Sequence, residues 1–84
     1  MNKKHRKTLD AIFSRPTQAG IKWSDIEALL ISLGAGISEG RGSRIRIELN
    51  GEDAVFHRLH PRNETDKGAV ASMRRFLENA GEKP

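Results

Sequence analysis

A chain of 84 residues, 36% hydrophobic and 31% charged, suits one small soluble domain with a single modest core and argues against a disordered chain. It has no cysteine, no apolar run near the roughly 20 residues of a membrane span and no signal-peptide core, which excludes a disulfide framework, thiolate-bound zinc and a membrane helix, and fits the cytoplasm. Fifteen Lys and Arg against 11 Asp and Glu give +4 and a pI near 10.0, pointing to a polyanion, an acidic partner protein, or simply a well-solvated surface.

"KKHRKTLDAIF", residues 3 to 13, begins basic and then sets Leu9, Ile12 and Phe13 at helical spacing. It predicts a short amphipathic helix packed through those three residues. Lys3, Lys4, Arg6 and Lys7 read as a solvated helix end, with phosphate contact as the other option. Pro16 and Gly20 mark a loop over 14 to 22. "WSDIEALLISLG" follows, with Ser24 and Glu27 in the capping-box relation, a stripe of Ile26, Leu29, Leu30 and Leu33, and Gly34 to close the helix. Trp23, just before that cap, reads as a packed anchor or as a platform for base stacking.

After "AGISEG", a short strand or bend, "SRIRIEL" alternates with period two. Ile45, Ile47 and Leu49 face one way; Arg44, Arg46 and Glu48 face the other. Asn50-Gly51 is a hairpin signal, and residues 53 to 61 return as a strand ended by Pro61. Thr65 or Asp66 can cap a final helix whose stripe is Val70, Met73, Leu77 and Ala80, widened by Phe76 and closed by Gly81. The expected fold is α+β: three antiparallel strands with helices on one face and the other face open.

A two-residue turn at Asn50-Gly51 fixes the register so that Ile45 meets Phe56 and Ile47 meets Ala54. On the open face Arg44 then meets His57 and Arg46 meets Val55, with Arg41 and His60 near the edge. Guanidinium groups match phosphate geometry, and an imidazole is a suitable general base or acid. RNA lying there could have a 2′-hydroxyl deprotonated to attack its own phosphodiester while arginines stabilise the developing charge. The reaction calls for no metal and no other cofactor. His57 and His60, three apart on a strand, point to opposite faces, which argues against a shared metal ion. Arginine and histidine also decorate exposed strands with no function beyond discouraging aggregation.

A helix ending in "LGAG", a "GRGS" turn into a hairpin, a strand closing on "HP" and a last helix ending "FLENAG" together resemble the HicA family. The resemblance covers residues 23 to 81, with residues 1 to 22 as a basic helix and loop beyond it and 82 to 84 as a tail. It implies a double-stranded-RNA-binding-like α-β-β-β-α sandwich, preceded here by an extra short helix. It also implies a toxin of a bacterial toxin–antitoxin pair that cleaves messenger RNA and is neutralised by a HicB-type antitoxin. The family pattern sets its catalytic histidine directly or nearly after the serine of the turn, where this chain has Arg44 following Ser43. Arginine, protonated at ordinary pH, is a poor general base.

The expected site therefore has His57 as the base and Arg44 as the phosphate clamp, with His60 as the second candidate base. Arg41, Ser43, Arg46 and Arg58 are the expected RNA contacts. The competing readings are a non-catalytic RNA-binding domain that has lost the histidine, and a protein whose open face serves mainly to meet an acidic antitoxin.

Overall fold

The computed structural model describes residues 1–58 and 64–84. The alternation read in residues 44 to 49 becomes an alternation of burial, with Ile45, Ile47 and Leu49 buried and Arg44, Arg46 and Glu48 exposed. That strand, β2 (Arg44–Leu49), is the middle of an antiparallel sheet between β1 (Gly36–Glu39) and β3 (Glu52–His57). Helices α1 (Lys3–Ile12), α2 (Trp23–Ser32) and α3 (Lys67–Asn79) complete the chain. The class is α+β, in the α-β-β-β-α order with an additional helix in front.

Asn50 and Gly51 both take the left-handed conformation, with φ of 51° and 83°, as a type I′ turn requires. The register follows from it: Leu49 pairs with Glu52, Ile47 with Ala54, Ile45 with Phe56 and Arg44 with His57. Each pair is the one expected from sequence. The Asn50 side-chain amide also donates to the Ala80 carbonyl at 2.8 Å, fastening the hairpin tip to the end of α3.

The core collects Ile26, Leu29 and Leu30 from α2, the inward residues of β2, Phe56, and Val70, Met73, Phe76 and Leu77 from α3. Each such side chain, fully buried, contributes about 1.5–3 kcal/mol. Phe56 stands between Trp23 and Phe76 with ring centroids 6.0 Å from each, so one aromatic chain binds β3 to both helices. Trp23 is thus a packed anchor. Leu9 and Ile12 of α1 join the same core, with Phe13 packed at its margin. Asn2 caps this helix by accepting from the His5 N–H at 2.8 Å.

One local expectation is corrected, and an alternative left open in the sequence is decided. Ser24 lies inside the first turn of α2, and Lys22 holds the N-cap position without a side-chain cap bond. Glu27, expected to close a capping box, instead takes the guanidinium of Arg58, whose fork offers two charge-assisted bonds where a backbone N–H offers one. At α3, Asp66 is the cap, accepting from the Ala69 N–H at 2.7 Å, while Thr65 is buried and donates to the Ile21 carbonyl.

Candidate functional site

The Arg58 N–H donates to the Ser43 carbonyl at 2.7 Å, which makes 43 and 58 a hydrogen-bonded pair of the ladder. The adjacent pair, Arg44 and His57, is therefore of the non-hydrogen-bonded kind, in which Cα atoms approach to about 4.5 Å and side chains stand closest. Both side chains are on the exposed face. Neither makes a hydrogen bond or an ion pair to a described residue. A guanidinium and an imidazole on one exposed face, neither paired among the described residues, suit a phosphodiester with a neighbouring hydroxyl.

The turn that delivers Arg44 is built from backbone. The Gly40 N–H donates to the Arg44 carbonyl at 2.8 Å, and the Arg44 N–H to the Arg41 carbonyl at 3.2 Å. Gly42 closes the loop at φ 62°, a conformation that favours glycine. Arg41, Ser43 and Arg44 are all exposed at this corner. Arg41, Arg44 and Arg46 line one shallow cleft of about 290 Å³, with Val55 on its far wall. Val55 and His57 line a second, of about 300 Å³, whose other wall includes Thr65, Gly68 and Ser72. Val55, 58% exposed, forms an apolar ridge between the two.

A family model with the description "HicA toxin of bacterial toxin-antitoxin" matches residues 23–81, more than two thirds of the chain. The chain belongs to the HicA toxin family. No curated protein and no solved structure matches it. In this HicA chain the matched segment contains the whole sheet, the Gly40–Ser43 turn and the Arg44–His57 pair, while α1 precedes it.

The other residues expected at the site divide. Arg46 shares the open face with Arg44, but its guanidinium is engaged by Asp53 at 3.2 Å, diagonally across the hairpin. Arg58 has the opposite parity to His57. Its Nε and Nη2 donate to the two Glu27 carboxylate oxygens, both at 3.0 Å, and its Nη1 donates to Glu39. These bonds, to Glu27 first and Glu39 second, raise its pKa above the ordinary guanidinium value. The cluster joins α2, β1 and the end of β3 directly behind the Arg44–His57 pair. His60 and Pro61 lie outside the described residues. Among the described residues, no group of three His, Asp or Glu side chains could hold a metal ion, and no helix is long and apolar enough to cross a membrane.

Sequence reasoning did not anticipate three of these contacts. Asp53 was legible in retrospect, since its register position is two residues from the partner of Arg46. The Arg58–Glu27–Glu39 cluster was not, because its members are 19 and 31 residues apart and meet only through the tertiary fold. Arg74 was also missed. It sits beside Met73 on α3, is 8% exposed, and donates to the carbonyls of Ile12 and Ser14 and to Thr17 Oγ1.

Proposed function

We propose that this HicA-family protein is an endoribonuclease that cleaves messenger RNA and is held in check by a HicB-like antitoxin covering the open face of its sheet. The observation that carries the reading is the Arg44–His57 pair, cross-strand neighbours with both side chains uncommitted to described residues, in a chain of a toxin family. His57 accepts the proton of a ribose 2′-hydroxyl. The 2′-oxygen bonds to the adjacent phosphorus, the bond from phosphorus to the 5′-oxygen breaks, and the leaving oxygen takes a proton from water. The products are a 2′,3′-cyclic phosphate and a 5′-hydroxyl. Arg44 bonds the non-bridging oxygens, whose charge grows in the transition state. Arg41, Ser43 and Arg46 flank the strand of RNA, whereas Arg58, engaged by two carboxylates, supports the pair from behind.

The second reading, a non-catalytic RNA- or antitoxin-binding member of the family, is favoured by one feature: Arg44 stands where the family pattern has its histidine. RNA cleavage by wild type, His57→Ala and His60→Ala proteins in EDTA separates the two. Cutting by wild type and not by one folded histidine variant upholds the ribonuclease and locates its base. Binding without cutting by wild type sinks it in favour of the second reading.

A further inference from the structure

Six of the 15 Lys and Arg residues but only one of the 11 Asp and Glu residues lie in positions 1–22, so that segment carries +5 and residues 23–84 carry −1. The basic character of the protein thus resides almost wholly outside the part that matches the family. A domain with net charge −1 has little long-range attraction for a polyanion, however well its local arginines are placed.

The placement of these charges works against the helix that bears them. Lys3, Lys4 and Lys7 crowd the N-terminal half of α1, whose first turn has no acidic residue, at the positive end of the helix dipole. Stability alone would favour carboxylates there. Lys4, Lys7 and Lys22 converge on a cleft of about 360 Å³ between α1 and the loop that follows it. The one carboxylate on that cleft, Asp25, is paired with Lys4 at 3.5 Å, which leaves Lys7 and Lys22 without an ion-pair partner among the described residues.

The same loop leads to the candidate active site. The Gly20 N–H donates to the Thr65 carbonyl at 2.7 Å, the Thr65 N–H to the Ile21 carbonyl at 3.0 Å, and the backbones of Lys22 and Glu64 form an isolated antiparallel β-bridge. Thr65 in turn lines the cleft that contains His57. We infer that the cleft of Lys4, Lys7 and Lys22 is a landing site for the phosphodiester backbone of RNA, lying beyond the Thr65 edge of the His57 cleft and supplying the charge that residues 23–84 lack. The inference rests on RNA being the substrate.

The test is fluorescence anisotropy with a single-stranded 2′-O-methyl oligonucleotide, which keeps the phosphates and lacks the attacking hydroxyl, titrated across salt concentrations. The triple variant Lys4→Gln, Lys7→Gln, Lys22→Gln should bind more weakly, and the magnitude of its log–log salt slope should fall by about 2, near 0.7 for each lost phosphate contact. The matching triple Lys→Arg variant should keep the wild-type slope. The glutamine variant should melt at or above the wild-type temperature, because the substitutions relieve charge at the helix end. An unchanged slope with the oligonucleotide still bound overturns the landing site alone. No affinity in wild type even at 50 mM salt, including for unmodified RNA, overturns the ribonuclease reading and the landing site together.

Discussion

Arg58 and Glu27 form a two-pronged ion pair, Nε to Oε2 and Nη2 to Oε1, between the end of β3 and the middle of α2. Glu39 of β1 takes the remaining prong. Such a unit should be non-additive. Arg58→Met and Glu27→Gln are each expected to lower the melting temperature, and the double variant to lower it by less than the two shifts together. Simple additivity in a thermal melt would mean that the two side chains do not act as one clamp.

His57→Ala should reduce RNA cleavage by about 10²- to 10⁴-fold, the usual contribution of a general base, while oligonucleotide affinity and circular dichroism stay close to wild type. Because Arg44 and His57 face each other, an imbalance on one strand can be offset from the other. Adding Arg44→His to the His57→Ala protein should recover part of the lost cleavage, short of wild type because the phosphate clamp is gone. A double variant as inactive as the single one would show that an imidazole on β2 cannot serve from this corner.

Gly51→Ala forces a side chain into φ 83° and is expected to cost about 1–2 kcal/mol in urea unfolding. Inserting one residue between Asn50 and Gly51 should do more than destabilise. It shifts strand parity, turning arginines toward the helices or breaking the pairing. Loss of the Arg44–His57 cross-strand nuclear Overhauser contact would register the change, and its persistence would mean that the turn absorbs the insertion as a bulge.

Leu9→Ala and Ile12→Ala should each cost about 2–5 kcal/mol, as core truncations do. Arg74→Met removes the donor to two carbonyls and a hydroxyl and should cost about 3 kcal/mol. These are large fractions of the 5–15 kcal/mol available to a typical domain. If a chain starting at residue 23 unfolded in urea at the same midpoint as the full protein, α1 would be an ornament.

What was legible in sequence was whatever a local rule determines. Asn50-Gly51 specifies its turn, the turn specifies the register, and the register places Arg44 against His57. The α3 stripe and the Gly34 and Gly81 stops follow the same kind of rule. What was not legible depends on choices between equivalent partners. Glu27 has a backbone N–H near it in sequence and a guanidinium near it in space, and the second offers the stronger bonds. Arg74 is adjacent to Arg75, and one is buried while the other is exposed. Helical phase puts residue 74 on the stripe of Val70, Met73 and Leu77, but only the docking of α1 supplies the carbonyls that let an arginine be buried there.

Arg74 also sets an order of events. The carbonyls at the end of the first helix find their donor 60 and 62 residues later, in the last one. On a ribosome adding about 5–20 residues per second, that donor is made roughly 3–12 seconds after the carbonyls it serves. Residues 1–73, however long they wait, have no guanidinium with which to close this joint. Closure of this joint, which seats the lysine-rich first helix against α3, therefore waits until the last helix has been made, whatever else has folded by then.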